Sequence, residues 1–168
     1  FPNHMPLAKH KTGPVGMPEL AFYSDKGGPP PGVHPWPSVP WNYTSPVPDH
    51  IAALARWGYY ASVSFMDSNV GIVLDALEDL QLAQETVVVL MGAHGWQLGE
   101  HGEWGKHTNF EVALRVPLMV RSPVHQQSAG ARAPHFVESL DLYRTLAGLV
   151  LPTATVEPGV EGTDLSPI

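Results

Sequence analysis

A chain of 168 residues has room for one domain of ordinary size or for a piece of a larger one, and 43% hydrophobic against 15% charged residues excludes a disordered chain. A net charge of −7 without a basic cluster leaves no means of gathering phosphates, so nucleic acid is not an expected partner, and no stretch approaches the roughly 20 apolar residues of a membrane span. With no cysteine, the chain by itself can form no disulfide, no thiolate metal site and no cysteine nucleophile.

The sequence opens at Phe1 without an initiator Met or an apolar leader, which suggests a fragment or a processed chain. Residues 1–48 hold 12 of the 18 prolines, including Pro29, Pro30 and Pro31 beside Gly27 and Gly28. Fixed φ and missing N–H groups prevent regular ladders there, so a Pro/Gly-rich arm or ordered loop is expected. Within it, Asn42-Tyr43-Thr44 fits the N-glycosylation acceptor pattern, a short pattern that arises as readily by chance. From Asp49 a helix is expected to run to about Leu80, with Tyr59, Val63, Met66, Val70, Val73, Leu74 and Leu77 on one apolar face. The β-branched run from Thr86 to Met91 reads as a strand buried in a parallel sheet. Residues 92–111 lack periodicity, and Val116 to Val120 offer a second short strand, with Pro117 at its start or on an edge. A second helix is expected from Ser139 or Asp141 to Leu149, with Leu142, Leu146 and Leu149 sharing a face. This order favours an α/β fold, a three-layer arrangement around a mainly parallel sheet over residues 49–168.

Ligands of open α/β sheets gather beyond the carboxyl ends of strands, where residues 92–106 lie. That segment packs His94, His101, Glu100, Glu103, Trp96, Trp104 and Lys106 between glycines that permit close backbone approach. Taken singly, each has an ordinary explanation: histidines as hydrogen-bonded structural groups, indoles as core or cover, Glu100 and Glu103 as capping or solvated carboxylates, Lys106 as a surface charge. Position raises two of them. His94 is separated by two residues from the strand, and Lys106 closes the same loop.

Residues 92–111, with Ala61-Ser62-Val63-Ser64-Phe65-Met66-Asp67, Leu77-Glu78-Asp79-Leu80 and the later Asp141 to Leu149, resemble the C-terminal part of a type I sulfatase catalytic domain. Gly92-Ala93-His94-Gly95 alone is a weak pattern shared across the alkaline phosphatase superfamily. Its continuation through Gly99-Glu100-His101-Gly102-Glu103-Trp104 to Lys106 is the specific part. The resemblance implies hydrolysis of sulfate esters of glycosaminoglycan sugars by a formylglycine nucleophile beside Ca²⁺, in a lysosomal or secreted protein. It also implies that His94 touches the metal site, that Lys106 contacts the sulfate and that Trp96 lines the substrate pocket. A spreading negative charge on sulfate oxygens calls for positive groups placed in advance.

The chain departs from that pattern at Ala93, where the family has aspartate, and Ca²⁺ prefers 6 to 8 oxygen ligands. It also shows no Asp-Asp pair and no Cys/Ser-x-Pro-x-Arg motif, Ser38-Val39-Pro40-Trp41-Asn42 coming nearest. Weak Ca²⁺ binding and no activity of the isolated chain are therefore expected. Two readings stand: part of a sulfatase, with a second chain or segment supplying the N-terminal half, or a non-catalytic sulfatase-like binding or assembly module for a sulfated sugar or other anionic small molecule. A phosphatase or phosphodiesterase of the superfamily ranks third, because those use more metal ligands than remain.

Overall fold

The computed structural model describes residues 5–22, 44–151 and 156–166. The proline run Pro29–Pro31, Asn42 and the Ser38–Trp41 segment lie outside the described residues. The chain forms two compact units: one joins the described residues up to Val73 with Met91–Leu118, the other joins Leu74–Leu90 with the described residues from Met119 onward.

Helix α1 spans Asp49–Asp79, close to the expected bounds. Its first two turns bury Ile51, Ala52, Ala55 and Arg56, and the core there adds Val47, Leu98 and Trp104, with Leu7, Phe22 and Trp96 packed against it. The expected apolar face farther along is not buried among the described residues: Val63, Met66, Val73 and Leu74 are exposed, and only Val70 and Leu77 are half-buried. The helix period is right.

Strand β1 is Val88–Met91 and pairs with β4, Leu118–Arg121. Both are shorter than the apolar runs that signal them, and β1 is half-buried along its length rather than buried. Pro117 sits one residue before β4, and its carbonyl accepts the Gly92 N–H at 3.0 Å. Between them, β2 (Gln97–Leu98) and β3 (Trp104–Gly105) form an antiparallel hairpin with Gln97 opposite Gly105 and Leu98 opposite Trp104. A four-residue helix α2, Glu111–Leu114, follows. Among the described residues there are thus two two-stranded sheets, and the expected three-layer parallel sheet is not assembled within them.

In the second unit, α3 spans Asp141–Val150 and half-buries Leu142, Leu146 and Leu149. Asp141, the first residue of α3, accepts the Glu138 N–H at 2.9 Å and the Thr163 N–H at 2.7 Å. These two backbone donors, Glu138 first, hold its carboxyl below the ordinary value. Thr145 donates to the Asp141 carbonyl and accepts the Leu165 N–H, so residues 163–165 are stitched to α3.

Candidate functional site

The turn after β1 is pinned on both sides of Ala93 and His94. Gly92 donates to Pro117, and Gly95 donates to the Ala113 carbonyl at 2.9 Å. A side chain at 95 would place its Cβ 2.0 Å from the Val112 carbonyl oxygen, so only glycine lets the turn lie on the backbone of α2. His94 is exposed. Its Nδ1 lies 2.8 Å from the Gly95 carbonyl and its Nε2 lies 3.1 Å from Lys106 Nζ. A carbonyl can only accept and an ammonium can only donate, so Nδ1 carries the proton and Nε2 offers its lone pair to Lys106. Two residues twelve positions apart in sequence are thereby brought together.

Lys106 owes its place to the hairpin that ends one residue before it. Gly99 makes the tight turn at φ +99°, a left-handed conformation, and a Cβ there would meet the Trp104 indole at 3.1 Å. Gln97 is fully buried, accepts the Thr108 hydroxyl at 2.6 Å and donates to the Glu100 carbonyl at 3.2 Å. The stretch on either side of Lys106 is thus tied to β2.

Helix α1 holds the other side of the hairpin through a pair that sequence reasoning missed. Arg56 Nη1 donates to the Leu98 carbonyl and to Glu100 Oε1, both at 2.9 Å, while Glu100 Oε2 accepts the Leu98 N–H at 2.5 Å. Burial alone would lower the Arg56 pKa, but the hydrogen bond to Glu100, with help from Tyr60, raises it above its ordinary value. Burial likewise pushes Glu100 up, and the Leu98 N–H followed by Arg56 overcomes it, leaving the carboxyl below its ordinary value. Glu100 is therefore neither a simple cap nor a solvated carboxylate, and Glu103, with none of its surface exposed, is not solvated either. The available signal was a lone arginine inside the apolar opening of α1.

Of the remaining loop residues, Trp104 is core. Trp96 is half-buried, with its ring 6.0 Å from His94 and 6.4 Å from Tyr59. His101, at φ +60°, stacks on Phe110 with 4.3 Å between ring centres, and its backbone N–H donates to the His10 carbonyl. The site therefore presents an imidazole, an ammonium and two aromatic rings.

These residues do not fit a Ca²⁺ site on their own. Ala93 offers a methyl group, both His94 nitrogens are engaged, and the ammonium facing Nε2 would repel a cation. Among the described residues no group of three or more His, Asp or Glu is placed to hold a metal.

The family model described as Sulfatase matches residues 30–151. Iduronate 2-sulfatase of Mus musculus is 39% identical over 160 residues, covering 76% of this chain and 28% of its own length. The Homo sapiens protein of that name is 40% identical over 128 residues, covering 76% and 22%. Among solved structures, the phosphonate monoester hydrolase of Silicibacter pomeroyi superposes with a TM-score of 0.61 at 27% identity, over 71% of this chain and 23% of that one. A protein in complex with its substrate D-glucosamine-2-N,6-O-disulfate gives 0.52 at 27% identity, over 65% and 22%. The chain spans about a quarter of the length of the curated relatives it matches.

Proposed function

The chain belongs to the sulfatase family, and we propose that it carries the part of a sulfatase site that receives the sulfate of a sulfated sugar, with Lys106 as the anion contact, His94 orienting it and Trp96 lining the pocket. The observation that supports this reading is the His94–Lys106 contact. One ammonium N–H is aimed at Nε2, which fixes the direction of the side chain, and among the described residues none takes the other two. A preplaced cation with open donors suits the charge that spreads over sulfate oxygens during ester cleavage. Sulfated sugars are the favoured class because a relative is an iduronate 2-sulfatase and a structural neighbour was solved with a disulfated glucosamine as its substrate. A lysosomal or secreted setting follows from the same family reading.

Cleavage needs a nucleophile and a cation that this chain does not itself provide: it has no cysteine, and the residues around Ala93 do not make a Ca²⁺ site. The activity would belong to a larger sulfatase domain, with the remainder in the same polypeptide or in a second chain. The open apolar face of α1 from Val63 onward and the half-buried β1 support that arrangement, in which β1 and β4 would join a larger, mainly parallel sheet. The misfit at Ala93 favours a second reading, a sulfatase-like binding module that keeps the anion contact without turnover.

The reading is tested by titrating D-glucosamine-2-N,6-O-disulfate into the 168-residue chain and its Lys106→Ala variant. Loss of a charged hydrogen bond worth about 1.5 kcal/mol predicts roughly tenfold weaker binding. Equal affinity in the two would remove Lys106 from the site. Release of sulfate from an aryl sulfate by the chain alone would refute the assignment of the nucleophile to a separate segment.

A further inference from the structure

One turn of α1 reaches the anion site with a residue that the family reading leaves out. Arg56 fixes that turn to the hairpin through Leu98 and Glu100, and Tyr59 lies three residues on, on the neighbouring position of the helix surface. The Tyr59 ring is stacked with Trp96, with 6.4 Å between ring centres and 26° between the planes. Trp96 in turn lies 6.0 Å from His94, whose Nε2 meets Lys106. Tyr59, Trp96, His94 and Lys106 are thus linked by successive contacts, from aromatic rings to an ammonium. Tyr59 keeps 37% of its surface open, while Trp96 is backed by the core, so the aromatic end is accessible and held from behind.

We infer that Tyr59 is a sugar-contacting residue of this site: stacked with Trp96, it offers an aromatic face to the ring of a sulfated saccharide while Lys106 takes a sulfate group. The chemistry follows from the two ends of that series of contacts. An aromatic face is electron-rich and attracts the slightly positive C–H bonds on the apolar face of a sugar ring, and a tyrosine presents that face at little cost in side-chain freedom. The ammonium supplies the charged hydrogen bond that a sulfate group needs. An anion without a sugar would use only the cationic end, and that difference separates Tyr59 from a merely structural role. The inference rests on the anion-site reading proposed above.

Two probes, inorganic sulfate and D-glucosamine-2-N,6-O-disulfate, are titrated into the chain and into Tyr59→Ala, Tyr59→Phe and Lys106→Ala. Tyr59→Ala is expected to weaken binding of the sugar probe about 5- to 10-fold, in line with an aromatic contact of up to about 1.5 kcal/mol, and to leave inorganic sulfate within about twofold. Tyr59→Phe, which keeps the ring, is expected to stay within about twofold for both. Lys106→Ala is expected to weaken both probes. A Tyr59→Ala loss equal for the two probes, or no loss for the sugar while Lys106→Ala still weakens it, overturns the inference and leaves the anion site standing. No effect of Lys106→Ala on either probe overturns the anion site and the inference together.

Discussion

Replacing Arg56 by methionine keeps most of the aliphatic stem and removes the guanidinium, which makes it a direct probe of how α1 holds the anion loop. Two hydrogen bonds of 2.9 Å disappear, to the Leu98 carbonyl and to Glu100 Oε1. Glu100 keeps the Leu98 N–H and its own backbone N–H but loses its counter-charge. Breaking one side of a buried ion pair costs about 3–5 kcal/mol, and because 28% of the Glu100 side chain reaches solvent, the expected loss is at the lower end, about 3 kcal/mol. That is a large fraction of the roughly 5–15 kcal/mol stability of an ordinary domain. Urea unfolding followed by tryptophan fluorescence, to which Trp104 in the same core contributes, measures it. Arg56→Lys keeps the charge but not the planar fork, and should recover about half of the loss. The pH dependence has a definite sign. Because the folded Glu100 carboxyl titrates below its ordinary value of 4.5, its contribution is fully present above that value and is lost as the pH falls through the lowered folded value. The stability difference between the parent chain and the Arg56→Met variant should therefore shrink below pH 4.5. A loss under about 1 kcal/mol at neutral pH, or a difference that grows on acidification, would refute the role assigned to the pair.

Gly95→Ala places a methyl group against the Val112 backbone, which cannot swing aside, so a loss of about 1–3 kcal/mol is expected together with a shifted His94 ring resonance; an unchanged unfolding midpoint and spectrum would contradict the pinned turn. In calorimetry the chain should show no saturable Ca²⁺ binding below about millimolar, and Ala93→Asp should tighten binding by adding a carboxylate; sub-micromolar binding without that substitution would contradict the misfit. The open face of α1 should bind the apolar dye ANS, and a Val63→Lys, Met66→Lys double variant should bind less while losing under about 0.5 kcal/mol of stability, since both side chains are exposed. Unaltered dye binding would place the accessible apolar surface elsewhere.

Helix α1 and helix α3 could be read from sequence because each has a run of apolar residues at helical spacing long enough to outweigh local preferences. The strands were legible as apolar runs, but their burial was not, because burial depends on neighbours that lie elsewhere in space. The β2–β3 hairpin gave no periodic signal: its strands are two residues each, Gln97 is polar yet fully buried, and the turn depends on the positive φ of Gly99. The four-residue α2 is likewise too short for a period. His94 and Lys106 stood out by position in the loop, and the structure puts them in contact. Arg56 and Tyr59 did not, since an arginine and a tyrosine in a helix read as solvated and apolar-face residues until the hairpin is folded against them. Glu100 and Glu103 read as capping or solvated carboxylates for the same reason, their burial being created by packing that sequence spacing does not encode.

Reception of a sulfate group by Lys106, oriented by its His94 partner, is tested most directly by side-chain NMR of the chain during titration with inorganic sulfate, following the Lys106 ε-methylene and the His94 imidazole. These two signals are predicted to move first and together, saturating with one affinity. Shifts that gather on other cations, Lys11, Arg121 or Arg132, while Lys106 and His94 stay still, would contradict the assignment.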